Sequence, residues 1–184
     1  MTDYDMPCPV DTDASENTAN YYNYGQRFNA GHTLIGQEVH TVIVPIFAGS
    51  SATGTTNLAY YASGTSGCTT PDQTSVESPA ASTLPADRTA ALASKTTFTF
   101  SPAITIGAGD IFCVRNTGYG MVTTTSGDSD PNSDFMTTQN SNCSWIVFGS
   151  SKPSQACATY KYGDDPPPSS DTVLLPPEPA MVRL

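Results

Sequence analysis

Basic residues are scarce in this sequence, which has seven lysines and arginines against 17 aspartates and glutamates and a formal net charge of -10. Nucleic-acid phosphates repel such a surface, and so do anionic membranes. No apolar run approaches the roughly 20 residues that span a bilayer. We therefore expect neither nucleic acid nor membrane among the partners.

Groups typical of catalytic sites are also few. There is no G-x-S-x-G motif, and the sequence does not indicate serine and acid partners that would form a catalytic triad with either histidine, His32 or His40. Gly107 and Gly109 lead into an apolar stretch and not into a helix, so they indicate a turn and not a phosphate-binding loop. We expect no catalytic residue, no cofactor and no enzymatic activity.

The cysteines are odd in number and widely spaced, without a C-x-x-C pair, which argues against a zinc site. They are Cys8, Cys68, Cys113, Cys143 and Cys157. The N-terminal residues lack the basic and apolar regions of a secretion signal, which predicts a cytosolic start and free thiols. Cys143 and Cys157 flank a loop, and a bond between them is the alternative.

Short stretches in which apolar and polar residues alternate predict β-strands. In residues 96–115 we predict two strands joined by the tight turn Gly107-Ala108-Gly109-Asp110. The other predicted strands are 22–28, 38–47, 57–62, 119–125, 144–148 and 156–162. We expect 38–47 and 57–62 to pair as a hairpin, with Pro45 disturbing the ladder. Only residues 86–95 have helical character, with Asp87 as the N-cap.

About eight strands separated by turns predict an all-β fold, an antiparallel β-sandwich with jelly-roll-like connectivity. The residues expected in its core are Phe98, Phe100, Ile111, Val114 and Trp145.

Three segments are predicted: an N-terminal arm at 1–20, the β-sandwich at 21–163 and a proline-rich C-terminal arm at 164–184. Val173, Leu174 and Leu175 are apolar residues between the proline clusters of the second arm. They indicate a partner-binding anchor, and a plain solvated tail is the alternative. The loop at 63–84 has few apolar side chains and is expected to contact another subunit.

Oxygen-bearing side chains stand at alternate positions in one acidic loop, as they do in calcium-binding loops. They are Asp128, Asp130, Asn132 and Asp134. Ser133 and Gln139 replace the glycine and glutamate of an EF-hand, so a calcium site and a plain acidic turn both remain open.

The run TFTFSPAITIGAGDIFCVR, followed by SWIVFG and ATYKYG, resembles the jelly-roll-like sandwich modules of accessory virion proteins in tailed bacteriophages. The resemblance implies a non-enzymatic capsid decoration (cement) protein that is made in the host cytoplasm and acts on the virion surface. It implies the major capsid protein and further copies of the chain as partners.

The alternative function is a carbohydrate-binding or adhesin-like module with aromatic side chains as its stacking platform. The candidates for that platform are Tyr21, Tyr22, Tyr24, Tyr60, Tyr61, Tyr160, Tyr162 and Trp145.

Overall fold

The computed structural model describes residues 1–6, 12–16, 21–63, 70–115, 118–124, 131–139, 144–147 and 156–163. Thirteen strands, one α-helix and one 3-10 helix lie in these ranges. The strands are β1 (Thr2–Asp5), β2 (Thr12–Glu16), β3 (Tyr21–Phe28), β4 (Glu38–Val44), β5 (Ile46–Ala48), β6 (Leu58–Tyr61), β7 (Gln73–Thr74), β8 (Thr96–Thr105), β9 (Ile111–Val114), β10 (Tyr119–Thr124), β11 (Ser133–Gln139), β12 (Ser144–Val147) and β13 (Thr159–Tyr162). Helix α1 spans Arg88–Ala93, and the 3-10 helix spans Ala81–Thr83.

Two antiparallel sheets form a sandwich, with strand orders β1-β13-β4-β8 and β12-β11-β3-β9-β6-β7. To compare the sheets with a jelly roll, we number eight of these strands from 1 to 8 in chain order. They are β1, β3, β4, β6, β7, β8, β9 and β13. The first sheet then runs 1-8-3-6, and the matching part of the second runs 2-7-4-5, which is the strand order of a jelly roll. The predicted all-β sandwich with jelly-roll-like connectivity is confirmed. Strands β11 and β12 extend the second sheet beside β3.

Aromatic rings from both sheets meet in the main core. The ring centroid of Tyr160 lies 5.3 Å from that of Phe28 and 5.9 Å from that of Phe112, and Phe100 lies 5.2 Å from Phe112. The predicted core residues Phe98, Phe100, Ile111 and Val114 are at most 5% exposed. Trp145 is only partly buried and packs beside Tyr61 in a separate small cluster.

A third sheet of three strands, in the order β2-β10-β5, packs under helix α1. Phe47 of β5 and Val122 of β10 form a small cluster with Ala91 of the helix. The carboxylate of Asp87 accepts a hydrogen bond from the backbone N–H of Ala90 at 2.9 Å. The predicted helix and its N-cap are confirmed.

The predicted hairpin at 96–115 is wrong in its pairing, although both of its strands exist. Strand β8 pairs with β4 in one sheet, while β9 pairs with β3 and β6 in the other. The turn crosses between the sheets because its backbone bonds to β3: Gly109 N–H donates to the Phe28 carbonyl, and Phe28 N–H donates to the Asp110 carbonyl. A tight-turn sequence fixes the local bend and not the partner of the strand that follows.

The predicted strand at 38–47 is divided at Pro45 into β4 and β5, which belong to different sheets. Proline has no N–H to donate, so the ladder stops there. The predicted hairpin between this stretch and 57–62 is also wrong. Strand β4 lies between β13 and β8, whereas β6 lies between β9 and β7.

Two described parts of the predicted N-terminal arm are strands of the body. Strand β1 pairs with β13, strand β2 pairs with β10, and Met6 is 3% exposed in the main core. These strands could not be predicted from their acidic composition, because an edge strand is held mainly by backbone hydrogen bonds and needs few apolar side chains. For residues 2–6 and 12–16 the arm is therefore corrected to edge structure.

Two of the five cysteines lie in the described residues. Cys113 is a buried free thiol, as expected, and burial raises its pKa. Cys157 is also buried but is disulfide-bonded, and its partner lies outside the described residues. The expectation of free thiols is wrong for Cys157, since spacing along the chain does not show which cysteines meet in space.

Candidate functional site

Of the predicted 63–84 loop the structure describes residue 63 and residues 70–84, and we call residues 70–84 the rim segment. It begins beside β6: strand β7 pairs with β6, and Ser75 N–H donates to the Leu58 carbonyl at 2.8 Å. The Ser75 hydroxyl in turn accepts from Leu58 N–H at 3.2 Å and donates to the Glu77 carbonyl. The first half of the rim segment is thus fixed to the edge of the six-stranded sheet.

The rim segment then crosses to β8, the edge of the four-stranded sheet. Val76 N–H donates to the Thr99 carbonyl at 2.8 Å, and Thr99 N–H donates to the Glu77 carboxylate at 2.5 Å. The Gln73 amide reaches the Pro102 carbonyl at 2.8 Å. The segment therefore closes one side of the sandwich, and it satisfies part of an edge that would otherwise be open.

Glu77 is held as a carboxylate by these bonds. Partial burial alone would raise the pKa of Glu77, but the hydrogen bonds from Thr99 outweigh burial and lower it. A carboxylate that accepts from a strand N–H caps the edge in place of a neighbouring strand.

The second half of the rim segment is fixed to the 53–56 turn. Ala81 N–H donates to the Gly54 carbonyl, and Thr56 N–H donates to the Pro79 carbonyl. Between the two anchors, Val76 is 68% exposed, more than any other large apolar side chain in the described residues. The backbone on both sides of Val76 is thus hydrogen-bonded to the body, and the segment presents one apolar side chain to solvent.

Asp110 is a buried carboxylate that sequence reasoning treated only as a turn residue. It is 3% exposed and accepts hydrogen bonds from Tyr60 Oη at 2.6 Å, Ser63 N–H at 2.7 Å and Gly107 N–H at 2.6 Å. Burial, the hydrogen bond and the nearby carboxylate raise the pKa of the Tyr60 hydroxyl, so it stays a donor. Asp110 therefore joins the β8–β9 crossover to the end of β6. The sequence feature that could have indicated this buried carboxylate is the position of Asp110, directly before four apolar residues.

The candidate calcium loop is only half within the described residues. Asp128 and Asp130 lie outside them, while Asn132 and Asp134 lie inside. The Asp134 carboxylate is bound by Arg27 and accepts from the Asn29 amide at 2.9 Å. The Arg27 guanidinium therefore binds one of the two carboxylate oxygens that a cation would need. In the ranges that the structure describes, no three His, Cys, Asp or Glu side chains form a metal-binding group.

The environment of Asp134 stabilises its ionised form. Partial burial alone would raise the pKa of Asp134, but hydrogen bonds from Asn29 and Arg27, with the charge of Arg27, outweigh burial and lower it. This interaction links β11 to β3 and the turn after it.

Of the side chains considered for catalysis and for sugar stacking that the structure describes, half are buried, while His40, Tyr60, Tyr162 and Trp145 are partly buried. His32 is 3% exposed, and its Nδ1 accepts from Leu34 N–H at 3.1 Å, while its ring packs against Phe28. Of the tyrosines proposed as a platform, Tyr24, Tyr61 and Tyr160 are at most 4% exposed.

The proposed anchor residues Val173, Leu174 and Leu175 lie outside the described residues. The rim segment was not recognised as ordered from sequence, because Gln73 to Glu77 is too polar to indicate a strand.

Comparison with protein-family models, with curated proteins and with solved structures finds no match to this chain. Along the described ranges, no helix has the length and apolar character that crossing a membrane requires.

Proposed function

We propose that the protein is a non-enzymatic structural subunit of a virus particle, a capsid decoration protein that binds neighbouring chains. The observation that carries this proposal is the rim segment, which is bonded to both sheets and presents Val76 at 68% exposure. A preorganised surface loses little conformational entropy on docking. The jelly-roll sandwich and the resemblance to accessory virion proteins give further support.

Two weak contacts per copy are sufficient for such a role. Burying the exposed part of Val76 contributes about 1 to 2 kcal/mol. Val173, Leu174 and Leu175 together contribute roughly 4 to 6 kcal/mol before ordering costs, and the prolines on both sides limit those costs. In a closed oligomer or on a capsid lattice, avidity multiplies contacts of this size.

The charge of the chain bears on the surface that receives it. With a formal net charge of -10, the protein is repelled by acidic surfaces and by other copies of itself. A basic receiving surface on the major capsid protein would favour docking, and salt would slow that association, whereas contacts between copies of this chain have to outweigh their mutual repulsion, which salt screens. The major capsid protein and further copies of this chain are the proposed partners.

Assembly can be measured with two substitutions and one matched control. Val76→Asp removes the exposed apolar group of the rim segment, and the double variant Leu174→Asp, Leu175→Asp removes the tail anchor. Val147→Asp is the control, because Val147 is also an exposed valine, at 42%, but lies on β12. Sedimentation velocity with increasing protein concentration gives the assembly state, and thermal unfolding gives the stability of the body.

We expect Val76→Asp and the double tail variant to weaken self-association or particle binding with little change in melting temperature, and Val147→Asp to assemble like the parent. Unchanged assembly in both test variants would show that neither surface binds a neighbour. Turnover of an ester, glycan or peptide panel that disappears in His32→Ala or His40→Ala would contradict the non-enzymatic assignment.

The carbohydrate-binding alternative depends on the aromatic side chains that remain accessible. Trp145 is partly exposed and belongs to the cluster around Tyr61. Glycan-array binding that is lost in Trp145→Ala, in a protein that stays monomeric, would favour this alternative over the virion assignment.

A further inference from the structure

We propose that a second copy of this chain docks on the outer face of the four-stranded sheet and forms a two-fold symmetric dimer. This inference goes beyond the proposed function, because it concerns a different surface from the rim segment and the tail, and it holds or fails whether or not the protein binds a particle. The outer face consists of the side chains of β13, β4 and β8 that point away from the main core, which are Thr41, Ile43, Thr97, Thr99, Thr159 and Lys161.

The strand pairing arranges this face in two rows that continue onto β1. From β1 to β8, the first row is Asp5, Thr159, Ile43 and Thr97. The second row is Asp3, Lys161, Thr41 and Thr99. The strand residues between the rows point to the other side, because side chains alternate along a strand, and Tyr160, Val42 and Phe98 accordingly belong to the main core. The register therefore fixes which side chains a docked copy would meet.

The outer face is open, in contrast to the outer side of the six-stranded sheet. On the six-stranded sheet, Tyr61 and Cys113 face away from the main core but are at most 1% exposed, inside the small cluster with Trp145. None of the eight residues in the two rows is buried, and Thr97 at the β8 end is exposed. The four-stranded sheet thus has a side that a second copy can reach.

The centre of the outer face has the composition of a contact surface. Its four threonines and one isoleucine carry no charge, and their β-branched side chains have few rotamers to lose on docking. A centre without charge and a margin with charges are typical of protein–protein interfaces. Because the chain has a formal net charge of -10, another copy meets least repulsion where the surface is uncharged.

The two margins of the face carry single charges of opposite sign. At the β1 margin, Lys161 donates to the Asp3 carboxylate at 2.9 Å, whereas Asp5 accepts only from the Thr159 hydroxyl and forms no ion pair with a described residue. At the β8 margin, Lys95 is exposed directly before the strand, and no described acid is paired with it. One acid and one base therefore remain for contacts with another molecule.

These charges select one of the two ways in which the sheets can stack. A two-fold axis parallel to the strands places β1 of one copy over β8 of its partner, so that Asp5 faces Thr97 and lies within reach of Lys95, two residues along the strand or roughly 7 Å. The symmetry forms this contact twice. An axis across the strands would place the two acidic β1 margins together. The parallel axis also gives the aligned stacking that is common for two sheets, about 10 Å apart.

The size of the face predicts a weak dimer. Eight residues, spaced about 4.8 Å between strands and about 6.8 Å between rows, cover roughly 260 Å² on each copy. A stable complex buries about 800 Å² on each partner. Glu77, which accepts from Thr99 N–H, faces Asp3 of the partner copy, and Lys161 offsets that repulsion. We therefore expect dimers at high protein concentration and not a permanent assembly.

Charge reversal at the two margins tests this contact in the full chain. Lys95→Asp and Asp5→Lys change the net charge by equal amounts in opposite directions, so the double variant keeps the parent value of -10. Sedimentation equilibrium at protein concentrations up to about 1 mM gives the dissociation constant of a weak dimer. Thermal unfolding of each variant shows whether the body remains folded.

We expect both single variants to raise the dissociation constant about five- to tenfold, since each replaces two attractions by two repulsions, and the double variant to return to the parent value. Repulsion through net charge alone would weaken association in Lys95→Asp and strengthen it in Asp5→Lys, and that result would overturn the proposal. So would a parent protein that stays monomeric, which would leave the binding of the rim segment to a particle untouched.

A second pair of variants tests the geometry without altering either margin. Thr97→Asp places a carboxylate opposite Asp5 of the partner copy, and Thr97→Lys places an ammonium group there. We expect Thr97→Asp to raise the dissociation constant at least about fivefold and Thr97→Lys to dimerise at least as well as the parent. Thr33→Asp is the matched control, because Thr33 is an exposed threonine in the turn between β3 and β4. Equal losses in Thr97→Asp and Thr33→Asp would show that this face is not the contact.

Discussion

Replacing the buried carboxylate of Asp110 should destabilise the protein more than its small change in size suggests. Asparagine at position 110 keeps the shape but presents an NH2 group where one carboxylate oxygen accepted hydrogen bonds. The most favourable amide orientation keeps Tyr60 and Gly107 as donors to its oxygen and turns its NH2 toward Ser63 N–H. One buried donor then loses its acceptor, and the charge-assisted character of the other bonds is lost.

The magnitude follows from these bonds. A buried donor without an acceptor costs about 1 to 3 kcal/mol, and hydrogen bonds to charged groups are worth more than neutral ones. We expect the free energy of unfolding to fall by about 2 to 3 kcal/mol in Asp110→Asn. Tyr60→Phe removes one donor and leaves the carboxylate with two, so it should cost about 1 kcal/mol.

Urea unfolding followed by tryptophan fluorescence measures both free energies. The matched control is Asp87→Asn, because Asp87 is exposed and asparagine caps a helix as well as aspartate does. A loss in Asp110→Asn no larger than in Asp87→Asn would refute the reasoning. So would strict additivity of Asp110→Asn and Tyr60→Phe, since residues that share a hydrogen bond should be coupled by at least 0.5 kcal/mol, on the order of magnitude seen for contacting residues.

Three further outcomes are expected. Phe100→Ala, at a core position that is 2% exposed, should lower the free energy of unfolding by about 3 to 5 kcal/mol in the same urea assay; a loss below about 1 kcal/mol would mean that its ring is not in the core. Because the pKa of Asp134 is lowered in the folded state, its contribution is present above the ordinary pKa of 3.8 and is lost as the pH falls below that value. The stability difference between the parent and Asp134→Asn should therefore shrink as urea unfolding is measured from pH 6 towards pH 3, and a constant difference would contradict this. Gly109→Ala should cost more than Gly36→Ala, because both have positive φ but only at Gly109 would the new Cβ meet the Ser63 hydroxyl, at 2.6 Å; equal melting temperatures would exclude that contact.

The strands in which apolar and polar residues alternate could be predicted from sequence because that signal is local. Phe98 and Phe100 alternate with threonines, and Asp87 precedes a short run rich in alanine, so a strand and a capped helix were both recognised. The number of strands and the turns between them indicated a jelly-roll-like sandwich, although two of its eight strands, β1 and β7, were not predicted. None of these steps required knowing which residues meet across the sandwich.

Pairing and bonding partners could not be predicted in the same way. The turn at Gly107 to Asp110 has the same sequence character whether the next strand returns to β8 or crosses to β3, and bonds to Phe28 decide between the two. Likewise, the rim segment is ordered by backbone bonds to Leu58 and Thr99, which no side-chain pattern reveals. The candidate site was therefore seen as a loop of the right length but not as an ordered surface.

The antiparallel pairing of β1 with β13 places the start of β1 and the end of β13 at the same end of the molecule. Thr2 lies opposite Tyr162, so residues 1 and 163 lie side by side, about 4.8 Å apart in the direction of the ladder. Residues 1 and 163 therefore lie at the same pole of the body. A fluorescent label or affinity tag fused at residue 1 would lie next to residue 163, which the 164–184 segment follows in the chain, whereas a label at the far pole would be distant from residue 163. If that segment docks on a particle, the far pole faces outward, and it is the place where a foreign epitope would be displayed.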